Sequence, residues 1–186
     1  MLLALVGVTG VGKSYFKELI VDKLGFKRVN TIRTREKRAG ESEGVTGLFK
    51  TKEELDELEK NKKLAYRFSV FGGEYAYLKD EIFSKDDMIF EMHYTTIKDW
   101  KKINPEIKTI YIFPKDINQA IEMTKKRNLS KEKEEERIKE LKEHFDIVSK
   151  DDSLRNEFDY IVYNNYDEES KEKILALVKK LKEETK

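Results

Sequence analysis

Near its start the chain passes from an unbroken apolar run, residues 2–6, straight into GVTGVGKS at residues 7–14. No other stretch constrains the fold as strongly. A short run that is apolar at every position suits a strand buried on both faces of a parallel sheet. The glycines that follow permit a tight turn. From Lys13 onward the apolar residues shift to helical spacing, at Phe16, Leu19, Ile20 and Leu24, and Gly25 is placed to end the helix. The reading is therefore strand, glycine-rich turn, helix.

A turn in that setting can hold phosphate. Gly7, Gly12, Lys13 and Ser14 satisfy G-x-x-x-x-G-K-[ST], in which successive backbone N–H groups converge on a phosphate chain. Lys13 is expected to reach the β- and γ-phosphates of ATP, and the Ser14 hydroxyl to ligate Mg2+. Val8, Thr9, Gly10, Val11 and Tyr15 complete the ATP-binding stretch. The helix behind adds the partial positive charge of its N-terminus. Lys13 is expected to face solvent when the loop is empty.

The rest of the chain alternates in the same way. KRVNT (27–31) reads as a strand, followed by a polar, glycine-bearing loop too long to be a mere connector. A Thr51/Glu54 capping box opens a helix over 51–63, and LAYRFSVF with EYAYL reads as a hairpin. Apolar strands follow at 87–92, 108–114 and 158–164, with helices at 116–127 and 130–150 and a last helix burying Ile174, Leu175, Leu177, Val178 and Leu181. This order predicts one α/β domain with a parallel sheet flanked by helices.

Composition narrows the function. The 38 Lys and Arg nearly cancel the 37 Asp and Glu, so anions must be caught by local clusters and a general nucleic-acid binder is excluded. There is no Cys, which rules out disulfides and thiolate metal sites, and His93 and His144 are the only two histidines, too few for a His-based metal centre. The opening residues lack the charged flank and small-residue cleavage site of a secretory signal. No apolar run reaches the roughly 20 residues of a membrane span. A soluble, cytoplasmic protein is expected.

The loop TIRTREKRAGE brings Arg33, Arg35 and Arg38 close together. A guanidinium matches phosphate oxygens with a planar fork of donors, so such a loop opposite the first can hold the phosphate of an acceptor. At this point the sequence resembles the guanylate kinase family, through GVTGVGKS, TIRT, RAGE, FGGEYAY, IFPKD, KKRNLSKEKEEER and IVYN in that order. The resemblance implies a P-loop core at 1–29, 86–124 and 146–186, an inserted monophosphate-binding lobe at 30–85 and a helical lid at 125–145. It implies that Arg33 and Arg38 grip the acceptor phosphate with Tyr75, that Arg127 and Arg137 neutralise the transferring group, and that Asn164 lies near the donor base.

The acceptor half departs from the family pattern. Tyr66 stands where the guanine-reading Glu is usual and Tyr77 where a small hydroxyl residue is usual. Gly47 replaces a phosphate-binding Tyr, Glu91 and His93 replace Asp-x-Asp, and Met123 replaces a lid Arg. Extra residues precede RAGE, which lets Arg35 stand in for a missing contact. Tyr66, Tyr77 and Glu91 join the expected acceptor-binding set. The expected activity is transfer of the ATP γ-phosphoryl group to GMP or dGMP. Two alternatives stay open: the same fold acting on another nucleotide or a sugar phosphate, and a non-catalytic binding module.

Overall fold

The computed structural model describes residues 1–37, 40–44, 47–70, 73–127 and 129–185. Arg38, part of the expected phosphate grip, and Phe71 and Gly72 of the hairpin turn lie outside them. Strand β1 (Leu2–Gly7) is buried at every position, as its composition requires. Helix α1 (Lys13–Leu24) starts after Gly12 and stops at Gly25, whose N–H bonds Val21 O. Strand β2 is only Lys27–Arg28, shorter than KRVNT suggested, because the chain then leaves the sheet to build the lobe. There β3 (Ile32–Arg33), β4 (Leu48–Phe49), helix α2 (Lys52–Lys60), and the hairpin β5 (Leu64–Val70) and β6 (Gly73–Leu78) follow. Thr51 and Glu54 form the expected capping box.

A short helix α3 (Lys79–Ile82) leads back to β7 (Met88–Glu91), then to a 3-10 turn (Tyr94–Thr96), α4 (Ile97–Ile103) and β8 (Lys108–Pro114). Helices α5 (Ile117–Lys125), α6 (Lys131–Lys150) and α7 (Asp152–Arg155), strand β9 (Tyr160–Asn164) and helix α8 (Glu168–Glu184) complete the chain. Among the described residues, no helix is long and apolar enough to cross a membrane.

The main sheet is parallel throughout, in the order β2-β7-β1-β8-β9. From β1 the chain first builds strands on one side and later crosses to the other, so the carboxyl end of β1 is the switch point where such sheets open a crevice. The glycine-rich loop sits at that point. One face of the sheet packs Trp100, Tyr111 and Phe90; the other packs Phe16 and Ile20 of α1 and Ile174, Val178 and Leu181 of α8. Leu175 and Leu177, expected in the core, are only partly buried at its edge. Leu141 and Val148 anchor the otherwise charged α6, which runs unbroken through residue 145.

The lobe carries its own sheet, β4-β3-β6-β5, and a small core of Ile32, Leu55 and Ala76. Aromatic contacts tie it to the main body. Trp100 meets Tyr66 edge-on at 5.3 Å and Tyr77 at 4.9 Å between ring centroids.

Candidate active site

The first loop is held from behind. Gly10 has φ +82°, and a Cβ there would run into the Ala120 carbonyl oxygen and come within 2.7 Å of Thr124 Oγ1, so the loop packs directly on α5. Asn164, at the end of β9, is buried; its Nδ2 donates to Val11 O at 3.0 Å and its Oδ1 accepts from Tyr166 N at 2.8 Å. The Tyr166 hydroxyl donates to Gly10 O at 3.1 Å. The Asn164 amide thus braces the loop from behind. Tyr166 lines a shallow recess with Asp116, Gln119, Met123 and Lys126 on that side of the loop. Tyr15 is exposed on the first turn of α1.

Lys13 differs from expectation. Its Nζ is turned back onto the loop, donating to Gly7 O at 2.8 Å and Val8 O at 2.9 Å. Both acceptors are carbonyls that a half-buried ammonium needs. Burial pulls its pKa from the ordinary lysine value to about 8, Glu91 opposes that, and the charge of Arg127 adds to it. Arg127 itself is exposed in the connection between α5 and α6 and does not line the main cleft.

That cleft, about 750 Å³, opens at the carboxyl end of β1 and gathers Gly7, Thr9, Lys13 and Ser14 from the loop, Arg33, Arg35, Tyr75 and Tyr77 from the lobe, Glu91 from β7 and Arg137 from α6. Residues far apart in sequence thus face one space, with Arg137 also bonded to Glu140 Oε2 at 2.8 Å. Arg33 lies beside Gly47 and over Phe49 at 5.8 Å. A Cβ on Gly47 would strike the Arg33 guanidinium and approach Thr31 O at 2.7 Å. The glycine that breaks the family pattern therefore makes room for Arg33.

Arg35 lines the cleft paired with Glu41 through two bonds of 2.6 Å. That bidentate pair, opposed by burial and helped by Tyr75, pushes its pKa up. Tyr66 sits outside the cleft. Its hydroxyl donates to Asp99 Oδ2 at 2.7 Å and its ring stacks on Phe68, so it braces the lobe and does not line the cleft. Phe68, paired with Tyr75 across the hairpin, lines the cleft in its place.

Sequence reasoning passed over several cleft residues. Lys17 lies one helical turn beyond Lys13, a spacing that puts both on one face of α1 and that was legible in the sequence. Phe68 was hidden by the register of β5, which a bulge between Leu64 and Tyr66 shifts. His144 was hidden because α6 looked like a solvated face. It instead stacks on Tyr94 at 4.0 Å, and its Nε2 meets the Tyr111 hydroxyl at 2.9 Å.

The Ser14 hydroxyl, which bonds the Glu91 carboxylate, is a hard oxygen of the kind Mg2+ takes. Among the described residues no cluster of three acidic or His side chains offers a complete cage. A Mg2+ ion at Ser14 would take its other ligands from substrate phosphates and water, its usual mode.

A parallel α/β sheet with this loop at its switch point, facing cations from a lobe and a helix, is a P-loop kinase. A family model described as guanylate kinase matches residues 1–181, and the chain belongs to that family. Its fold is similar to the crystal structure of guanylate kinase from Anaplasma phagocytophilum, with 19% identity and a TM-score of 0.70 over 96% of this chain and 84% of that one. It is also similar to shikimate kinase from Bacteroides thetaiotaomicron, with 14% identity and a TM-score of 0.54 over 98% of each chain.

Proposed function

We infer that the protein transfers the γ-phosphoryl group of ATP to the phosphate of a nucleoside monophosphate, GMP and dGMP among the acceptors. The observation that carries this reading is that Lys13 and Ser14 face the same cleft as Arg33, Tyr75 and Arg137. The loop backbone binds the donor phosphates, and Lys13 exchanges its two carbonyl partners for phosphate oxygens. Arg33 and Tyr75 hold the acceptor phosphate, whose oxygen is already a competent nucleophile. Arg137 acts on the charge of the group in flight, and the charge of Arg127 is felt at Lys13 beside it. Bound Mg2+, held through Ser14, supplies charge neutralisation on the phosphates. The donor base lies against Tyr166 in the recess behind the loop.

The acceptor base meets an aromatic wall of Phe68, Tyr75 and Tyr77, and the hairpin offers no carboxylate from position 66. Stacking and shape replace edge reading there. A site without the dedicated contact discriminates by about 10–200-fold, against about 10⁴ with it. The same wall favours a second reading, in which the acceptor is another nucleotide or a sugar phosphate. An ADP-release screen over ribo- and deoxyribonucleoside monophosphates and several sugar phosphates tests both. Broad turnover of monophosphates with GMP or dGMP included is expected; no turnover of any monophosphate would overturn the first reading.

A further inference from the structure

Helix α1 presents a second lysine to the cleft. Lys17 Nζ lies 2.9 Å from Glu91 Oε1 and 3.9 Å from Glu18 Oε1, with 21% of its side chain exposed. Glu18 is drawn the other way by Arg28, whose Nε is 2.8 Å from its Oε2. A line of alternating charge therefore runs along the cleft floor: Arg28, Glu18, Lys17, Glu91, then Lys13. Lys17 is the nearest cation to Glu91 on that line, at direct bonding distance, whereas Lys13 is held on the carbonyls of its own loop.

We propose that Lys17 is a positioning residue: by occupying Glu91 it prevents that carboxylate from capturing Lys13, and so keeps the loop lysine available to the phosphates of ATP. Glu91 is half-buried, and its carboxylate is held by the Lys17 ammonium at 2.9 Å. A buried carboxylate that loses its partner seeks the next cation, because an unpaired charge in a poorly hydrated site is strongly disfavoured. The next cation is Lys13, which already feels the Glu91 charge. An ammonium locked onto Glu91 would meet incoming phosphate only after that pair is broken.

The idea rests on the kinase reading for the importance of Lys13, but it is tested by ATP binding, which needs no acceptor. Isothermal titration of ATP with Mg2+ compares wild type, Lys17→Met, Lys17→Arg, and Lys17→Met combined with either Glu91→Gln or Glu18→Gln. Lys17→Met is expected to weaken ATP about tenfold, and Lys17→Arg to stay near wild type. Glu91→Gln should restore most of the lost affinity, since no carboxylate is left to hold Lys13. Glu18→Gln changes the net charge equally, yet should restore little. Near-normal affinity in Lys17→Met, or equal rescue by both Gln variants, would overturn the proposal. Should Lys17→Met melt below the assay temperature, Lys17→Gln replaces it in the same comparisons. A wild type that binds ATP yet phosphorylates no monophosphate sinks the kinase reading and leaves this test intact; one that binds no ATP sinks both.

Discussion

Single atoms decide how the phosphate loop works. An alanine at Gly10 would have to adopt a left-handed backbone, at roughly 1–2 kcal/mol, and would also drive its methyl group into the Ala120 carbonyl and Thr124 of α5. Gly25 has a similar φ of +72° but open space around its missing Cβ. Gly10→Ala should therefore lower Tm and weaken ATP by more than tenfold, while Gly25→Ala lowers Tm slightly and leaves ATP affinity alone. Equal effects on ATP affinity would mean that backbone strain, not contact with α5, shapes the loop. Arg33 sits in the lobe, away from the loop, and a charge-assisted contact to phosphate is worth about 1.5–3 kcal/mol. Arg33→Ala is expected to raise the acceptor KM tenfold or more with little change in the KM for ATP, as steady-state kinetics in both substrates will show.

At the scale of elements, the β5–β6 hairpin serves as structural brace and acceptor wall at once. Tyr66 and Tyr77 both lean on Trp100, and the Tyr66 hydroxyl is fixed to Asp99. Tyr66→Glu thus sets a carboxylate opposite Asp99 instead of placing one against a base. It should lower Tm and leave relative kcat/KM among GMP, AMP, UMP and dTMP nearly unchanged, whereas Tyr66→Phe loses only the hydrogen bond. A variant that gained guanine preference would show that position 66 does reach the acceptor. The parallel strands, the glycine-rich turn and the capping box of α2 were legible in the sequence because each depends on near neighbours. The orientation of Tyr66 was not, since a bulge beside it and Asp99 on helix α4 decide which way the ring turns. The pairing of Arg35 with Glu41 was local enough to foresee, but an arginine-rich loop reads as phosphate-binding until its carboxylate is located. Asn164 was placed at the right end of the sheet, yet its role depends on a loop 153 residues away in the chain.

For the whole molecule, the seam between α6 and the main sheet carries the pH dependence of the fold. His93 and His144 lie 5.9 Å apart by ring centroid in that seam. Burial, reinforced by Lys13, pulls His93 to about 4. Burial, then Lys13 and His93, pulls His144 to about 3. Both folded values lie below the unfolded value of 6.5, so below that pH the unfolded chain binds protons that the native chain refuses. Stability is complete above pH 6.5 and declines as the pH falls toward 4 and then 3. Carboxyls such as Glu18, Asp87, Glu91 and Asp167 are held down, so their contribution fades as the pH falls through the ordinary carboxylate range and below it. Between about pH 6.5 and 5 the two histidines therefore dominate the slope. His144→Gln keeps an oxygen that can accept from the Tyr111 hydroxyl while removing the titration. Urea unfolding followed through Trp100, the one tryptophan and fully buried, should show wild-type stability falling through that window. The variant should show a shallower fall, retaining the part due to His93. An unchanged slope would mean that His144 already protonates freely in the folded chain and that the seam between α6 and the sheet opens to water.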